Sequence, residues 1–286
     1  MRSLRSALVT VCLLAAALAV PLAPVAPAPR AAAADACGTV VARSTGGYWT
    51  CTFVDNFGGS TLDTKKWIGL NQPGTGDLCT LNSPRTIGVS MGRLRLSAVK
   101  TTSTVRCPAR ANGTRAKYAG ATVSSYYRFS QQYGRFEARI KVRNTSLPGL
   151  HEAFWLWPDT RYSSDDNWPN TGEIDVMETY SYQPSLNVPF LHYWADSYGA
   201  VDGFNTSWSC KSQRGLWHTY VLEWSYSQLT IKVDGRTCLT STHAAPSFRK
   251  RMIMNISQYL GGGNNLYDGR VSLPATMEID WVKAWR

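Results

Sequence analysis

RFEARIKVR, residues 135 to 143, alternates without a break: Phe136, Ala138, Ile140 and Val142 against Arg135, Glu137, Arg139, Lys141 and Arg143. Successive side chains of a strand point to opposite faces, so this segment predicts a strand with one packed face and one wet face. RLRLSA (93–98), YVLEWS (220–225), LTIKV (229–233), MIMNIS (252–257) and MEIDW (277–281) repeat the pattern. Asp234-Gly235 separates LTIKV from RTCLT, and this dipeptide favours the positive φ that a two-residue hairpin turn needs. Clusters such as FGGSTLD, NQPGTGD, LPGL and LGGGNN punctuate the chain at short intervals, and beyond the first residues no segment sustains a 3.6-residue period. The pattern predicts an all-β fold, a sandwich or jelly roll, without a linker or internal repeat to mark a second domain. Ser181 to Ser209 shows no clean alternation and is expected to be long loops around one or two strands.

The start of the chain obeys another rule. Arg2 and Arg5 precede an apolar run from Ala7 to Val20, then a Pro/Ala stretch ending in Ala32, Ala33 and Ala34. This is the layout of a secretory signal peptide, with cleavage expected after Ala34 or Ala36; the run is short for a membrane span. Residues 1–34 are thus read as a signal peptide and 35–286 as one soluble, exported, monomeric domain. An uncleaved anchor is the alternative. Cys12 leaves with the leader, and Cys37, Cys51, Cys79, Cys107, Cys210 and Cys238 remain. In an exported chain an even set reads as disulfides. None has zinc-site spacing. Pairing of neighbours is expected, Cys37–Cys51, Cys79–Cys107 and Cys210–Cys238, out of fifteen connectivities. Cys37 as a lipid-bearing N-terminus is the other reading. Asn112, Asn144, Asn205 and Asn255 head Asn-x-Ser/Thr triplets.

The whole sequence carries a net charge of +11, and loss of the three leader arginines lowers this to +8. A basic balance permits an acidic partner, but no Lys/Arg run with interleaved aromatics points to nucleic acid. The aromatic content says more: 11 Trp and 14 Tyr. In GLHEAFWLWP (149–158), alternation sets Phe154 and Leu156 on one face and Ala153, Trp155 and Trp157 on the other. One face faces the core. The second is suited to something flat, such as a sugar ring, which buries C–H groups on an aromatic surface. Trp168, Tyr193 and Trp194 follow in nearby segments.

GEIDVMET, residues 172 to 179, holds Glu173, Asp175 and Glu178. Strict alternation would send Glu178 to the apolar face with Ile174 and Val176, where a lone carboxylate costs several kcal/mol. One extra residue, a β-bulge at about Val176–Met177, returns it to the face of the other two. Like charges so close release their protons at separated pKa values. Glycoside hydrolysis needs that: one carboxylate to attack the anomeric carbon, one carboxylic acid to protonate the leaving oxygen. A shell for calcium and a merely solvated strand face are the competing uses. Counting the bulge as one step, the two glutamates are about 13 Å apart along the backbone. Retention needs carboxyl groups about 5–5.5 Å apart, so the mechanism requires a strand curved toward the cleft.

Glu173-Ile174-Asp175-Val176-Met177-Glu178 resembles the active-site signature of glycoside hydrolase family 16 in its bulged, laminarinase-like form. DNFGGSTLDTKKW (55–67), YGRFEARIKV (133–142), GLHEAFWLWP, WPNTGEIDVMET (168–179), WHTYVLEWS (217–225) and MEIDWVKAW (277–285) follow in that family's order. The resemblance implies a β-jelly roll of two curved antiparallel sheets with a concave sugar-binding cleft, acting on β-glycosidic bonds of a polysaccharide with retention. It implies Glu173 as nucleophile, Glu178 as general acid/base and Asp175 tuning the nucleophile. Trp168 would stack near the cleaved sugar, with Trp155, Trp157 and Trp194 at sugar subsites and His192 touching the acid/base or substrate. No cofactor is implied. Some members bind a structural calcium, for which Asp55 and Asp280 are candidates, although Asn56 stands where an acid is common. The first substrate expected is β-1,3-glucan, cut internally. An anionic or sulfated glycan, a transglycosylase or a non-catalytic glycan-binding jelly roll are the alternatives. The chain departs from the family at Ala121 after Gly120, in SQYLGGGNNLYDG, which lacks Trp, and at His151-Glu152, where Trp-Pro is frequent.

Overall fold

Period-two segments become strands where the sequence places them. The computed structural model describes residues 34–164, 167–194 and 199–286; the expected leader, except Ala34, lies outside them. Among the described residues there is no α-helix, and no helix is long and apolar enough to cross a membrane.

The strands are β1 (Cys51–Asp55), β2 (Ile68–Gly69), β3 (Leu78–Thr80), β4 (Ile87–Ser90), β5 (Arg93–Lys100), β6 (Tyr118–Ser124), β7 (Gly134–Lys141) and β8 (Leu150–Pro158). They continue with β9 (Glu173–Tyr180), β10 (Phe190–His192), β11 (His218–Trp224), β12 (Leu229–Val233), β13 (Arg236–Ser241), β14 (Met252–Leu260) and β15 (Ala275–Trp285). One layer runs β10-β9-β8-β14-β6, with β2 on β6. The other runs β5-β15-β7-β11-β12-β13, with β4 on β5 and β1 on β15. The two layers are not separate sheets. Val99 and Lys100 of β5 pair with Ala119 and Tyr118 of β6, so one curled sheet supplies both. Apart from parallel β3–β6, the pairings among these strands are antiparallel. Among its described residues, the Ser181–Ser209 stretch contributes one short strand, β10.

One apolar cluster fills the space between the layers. From β7 it takes Phe136, Ala138 and Ile140, from β8 Phe154 and Leu156, from β9 Ile174, Val176 and Met177, all fully buried. Burying such large side chains contributes about 1.5–3 kcal/mol each, which pins the register: a one-residue slip would expose every one of them. The hairpin turn at Asp234-Gly235 has φ of 49° and 77°, as the dipeptide predicts. Disulfides join Cys37–Cys51, Cys79–Cys107 and Cys210–Cys238, with Cα–Cα distances of 5.6, 5.9 and 5.1 Å. Asn112 and Asn144 are exposed, but Asn205 and Asn255 are buried, so two of the four triplets present no surface asparagine.

Candidate active site

The register of β8 against β9 settles where the three acids point. Leu156 pairs with Ile174 and Trp155 with Asp175, but Phe154 pairs with Met177. Val176 is therefore the extra residue of a bulge. Val176 and Met177 both sit in the core, and beyond them Ala153 pairs with Glu178, Glu152 with Thr179 and His151 with Tyr180. Directly opposed residues share a face, so Asp175 lies with Trp155, and Glu178 with Ala153. The face carries His151, Trp155 and Trp157 from β8 and Glu173, Asp175, Glu178 and Tyr180 from β9. Strand β10 adds Phe190 opposite Asp175 and His192 opposite Glu173.

A cleft of about 480 Å³ opens on this face, lined by Trp155, Trp157, Glu173, Tyr126, Ile253 and Asn255 among others. Trp155 and Trp157 meet edge to face at 6.1 Å, and Trp155 Nε1 donates to Ser257 Oγ at 2.9 Å. Hollows of about 630 and 750 Å³ lie elsewhere, but neither is lined by an acidic side chain. Trp168 is half exposed and donates through Nε1 to Glu173 Oε2 at 2.8 Å. Gly172 makes that approach possible: its φ is +87°, and a Cβ there would press on the Phe248 ring at 3.2 Å. Trp194 is exposed, edge-on to Tyr193 at 5.8 Å, beside residues 195–198, which lie outside the described set. It lines no part of the cleft holding Trp155 and Trp157.

Each of the inner two carboxyls is met by an imidazole. His192 Nε2 stands 3.2 Å from Asp175 Oδ2, its ring stacked on Phe190 and tilted against Trp168. Burial pushes the Asp175 carboxyl well above the usual range, and the charges of Glu173 and Glu178 push the same way; His192 offsets only part. Glu178 goes the other way. Burial raises it, but the hydrogen bond and charge of His151, a hydrogen bond from Tyr180 and the charge of His192 outweigh burial and hold it below the usual range. His151 Nε2 lies 2.9 Å from Glu178 Oε1, and Tyr180 Oη donates to the same oxygen at 3.0 Å. Tyr180 itself is pushed far above the usual phenol value by burial and by Glu178, so it remains a donor. His151 is thus an imidazole bonded to Glu178, and His192 lies against Asp175 while its charge also acts on Glu178. Alternation puts His151 on the face of Ala153 and Trp155, but its partner Tyr180 follows only from the register beyond the bulge. Tyr180, Asn255 and Ser257 were also missed, since nothing local tells a tyrosine or serine of the cleft from one of a loop.

Donor atoms of Glu173, Asp175 and His192 lie within 4.8 Å of one another. Trp168 and His192 already engage this group, so it is a hydrogen-bonded carboxyl cluster, not the shell of six to eight oxygens that calcium takes. At the proposed calcium residues, Asp55 accepts from Phe57 N and Trp67 Nε1, each at 2.9 Å, and Asp280 accepts from Arg139. Glu152, beside His151, turns inward to a buried pair with Arg214 at 2.7 Å, and Thr179 donates to it at 2.9 Å.

The chain is 26% identical over 265 residues to glucan endo-1,3-beta-glucosidase A1 of Niallia circulans, covering 81% of this chain and 37% of that protein. It is 27% identical over 186 residues to a beta-glucanase of Rhodothermus marinus, covering 59% of this chain and 63% of that one. The chain thus spans less than two thirds of the length of these relatives. Among solved structures, the endo-beta-1,3-glucanase of Pyrococcus furiosus superposes with a TM-score of 0.71 at 20% identity, over 86% of this chain and 97% of that chain. That likeness is one of fold. The sequence model of glycosyl hydrolases family 16 matches residues 81–283, and the chain belongs to that family.

Proposed function

We propose that the protein is a secreted, endo-acting, retaining β-glycoside hydrolase of polysaccharide, with β-1,3-glucan as its first substrate. The observation that carries this is the bulge at Val176, which turns three carboxyls onto one cleft face beside Trp155 and Trp157. The named relatives that cut 1,3-β-glucan support the substrate. The basic start, the apolar run of residues 7–20 and the three disulfides support export of a mature chain from about residue 35, acting as a single-domain monomer.

Glu173, on the cleft wall and fixed by Trp168, attacks the anomeric carbon. Its new C–O bond forms as the glycosidic C–O bond breaks, and that bond's electron pair goes to the leaving oxygen, which takes the Glu178 proton. Water then gives a proton to Glu178 and attacks the same carbon, and the ester's electron pair returns to Glu173. Asp175, between them, is pushed upward by burial and by the charges of Glu173 and Glu178, so a third negative charge there is disfavoured. Side chains alone perform these steps, so no cofactor enters.

The test is digestion of a panel of β-1,3-glucan, mixed β-1,3-1,4-glucan and sulfated galactan, with Glu173→Gln as control. Internal cleavage of β-1,3-glucan that the variant loses supports the proposal. Cleavage of the sulfated polymer alone moves the substrate to anionic glycans, longer products point to transfer, and binding without cleavage overturns the enzyme.

A further inference from the structure

His151 makes contacts on which the proposed reaction does not yet draw. It stands on β8 directly opposite Tyr180, and the two rings stack at 4.8 Å and 6°. Ala153, the residue opposite Glu178, is small, so nothing from β8 stands between the imidazole and the carboxyl diagonal to it. Nε2 closes to 2.9 Å from Glu178 Oε1. Tyr259 of β14 flanks the ring at 6.3 Å. From β9 the ring faces Glu178 and Tyr180, with Tyr182 behind Tyr180 at 6.5 Å. His192 of β10 acts on Glu178 by charge and bonds Asp175. Among the described residues no Lys or Arg lies in ion-pair range of Glu178, and the imidazole of His151 stands 2.9 Å from it.

We infer that His151 is a positioning residue for Glu178: it holds Oε1 as hydrogen-bond acceptor, so that Oε2 carries the proton given to the leaving oxygen and takes it back from water. The inference rests on Glu178 as acid/base. Both protein donors meet Oε1. When Oε2 gives its proton to the glycosidic oxygen, the charge left on the carboxylate spreads to an oxygen already bonded by Nε2–H and Oη–H. A carboxylate that accepts such bonds is stabilised over its acid, so proton transfer is easier. His151 itself gains and loses no proton over the cycle.

The experiment uses the whole mature protein and two variants. His151→Phe keeps a ring against Tyr180 and removes the donor. His151→Gln keeps a neutral donor. With carboxyl-13C glutamate, the Glu178 resonance, assigned by its loss in Glu178→Gln, is titrated without any substrate. Its midpoint is expected to rise by about one pH unit in His151→Phe and by less in His151→Gln. On laminarin, the alkaline limb of kcat/KM moves up with it, and kcat at the acid plateau falls about threefold to tenfold with KM little changed. A nitrophenyl β-oligoglucoside, whose leaving group needs no proton, loses far less. An unmoved midpoint in His151→Phe, or equal losses on both substrates, overturns the inference. Failure of the wild type to cleave laminarin strikes instead at the proposed substrate and leaves the titration standing.

Discussion

Two strand faces of this molecule are rich in acids, and they partner them differently. On the outer face, Glu278 meets Lys141 at 2.5 Å, Arg95 at 2.8 Å and Arg93 at 3.6 Å. Glu223 bridges Arg135 at 2.5 Å and Lys232 at 2.6 Å, and Asp280 pairs with Arg139. Burial raises Glu278, but Lys141, Arg95 and Arg93 outweigh it, so it is lowered. On the cleft face, Asp175 and Glu178 stand against imidazoles; Asp175 is pushed up by burial and by its fellow carboxyls, while His151, Tyr180 and His192 outweigh burial and hold Glu178 down. The outer acids are neutralised where they stand. The inner two are driven apart, Asp175 up and Glu178 down, and neighbouring carboxyls with unequal hold on a proton are what a reaction centre uses. The difference separates a structural charge ladder from a reaction centre, though both read as alternating charged strands.

The comparison can be pressed at several points. Glu173→Gln should lower kcat on the cleaved glucan on the order of a thousandfold or more and leave the melting curve nearly unchanged; steady-state kinetics and calorimetry check both. Arg214→Met should do the reverse of a site mutation. It strands Glu152, which is fully buried, and should cost about 3–5 kcal/mol of stability in urea titration. Trp155→Ala should raise KM about tenfold by removing a stacking face, read from initial rates with little change in the alkaline limb. Asp175 gives a test of sign. Its carboxyl binds a proton more tightly folded than unfolded, so it stabilises the fold below about pH 4, and that contribution fades as pH rises through the raised folded value. Asp175→Asn, a permanent neutral form, should melt above the wild type near neutral pH and level with it at about pH 3. Glu278, lowered, has the opposite sense: its contribution is present above the ordinary glutamate value and lost as pH falls through the folded one. Smallest of all, Arg139→Gln should change stability by about 1 kcal/mol or less and leave turnover unchanged.

Much of this contrast was legible in the chain. Alternation in RFEARIKVR and MEIDW marked the strands, Asp234-Gly235 marked a hairpin, and the cost of burying Glu178 marked the bulge before any coordinates. These are local rules, acting within a few residues. What escaped was long-range pairing. Period two says which residues share a face, not which strand lies alongside, so the neighbours β8–β14 and β14–β6, the parallel β3–β6 pair and the closure of both layers through Val99 and Lys100 were invisible. The same limit hid His151: its face was readable, but that Tyr180 lay opposite depended on the register after the bulge. It also hid the burial of Asn205 and Asn255, whose triplets look like any other in sequence.

The central claim is that Glu173 attacks and Glu178 supplies and recovers the proton at one anomeric carbon. Proton NMR of the first products released from laminarin by the mature protein tests it most directly. The account predicts that the β-anomer appears first and the α-anomer follows only by slow mutarotation. An α-anomer formed at the outset would mean inversion by a single displacement, and would contradict it.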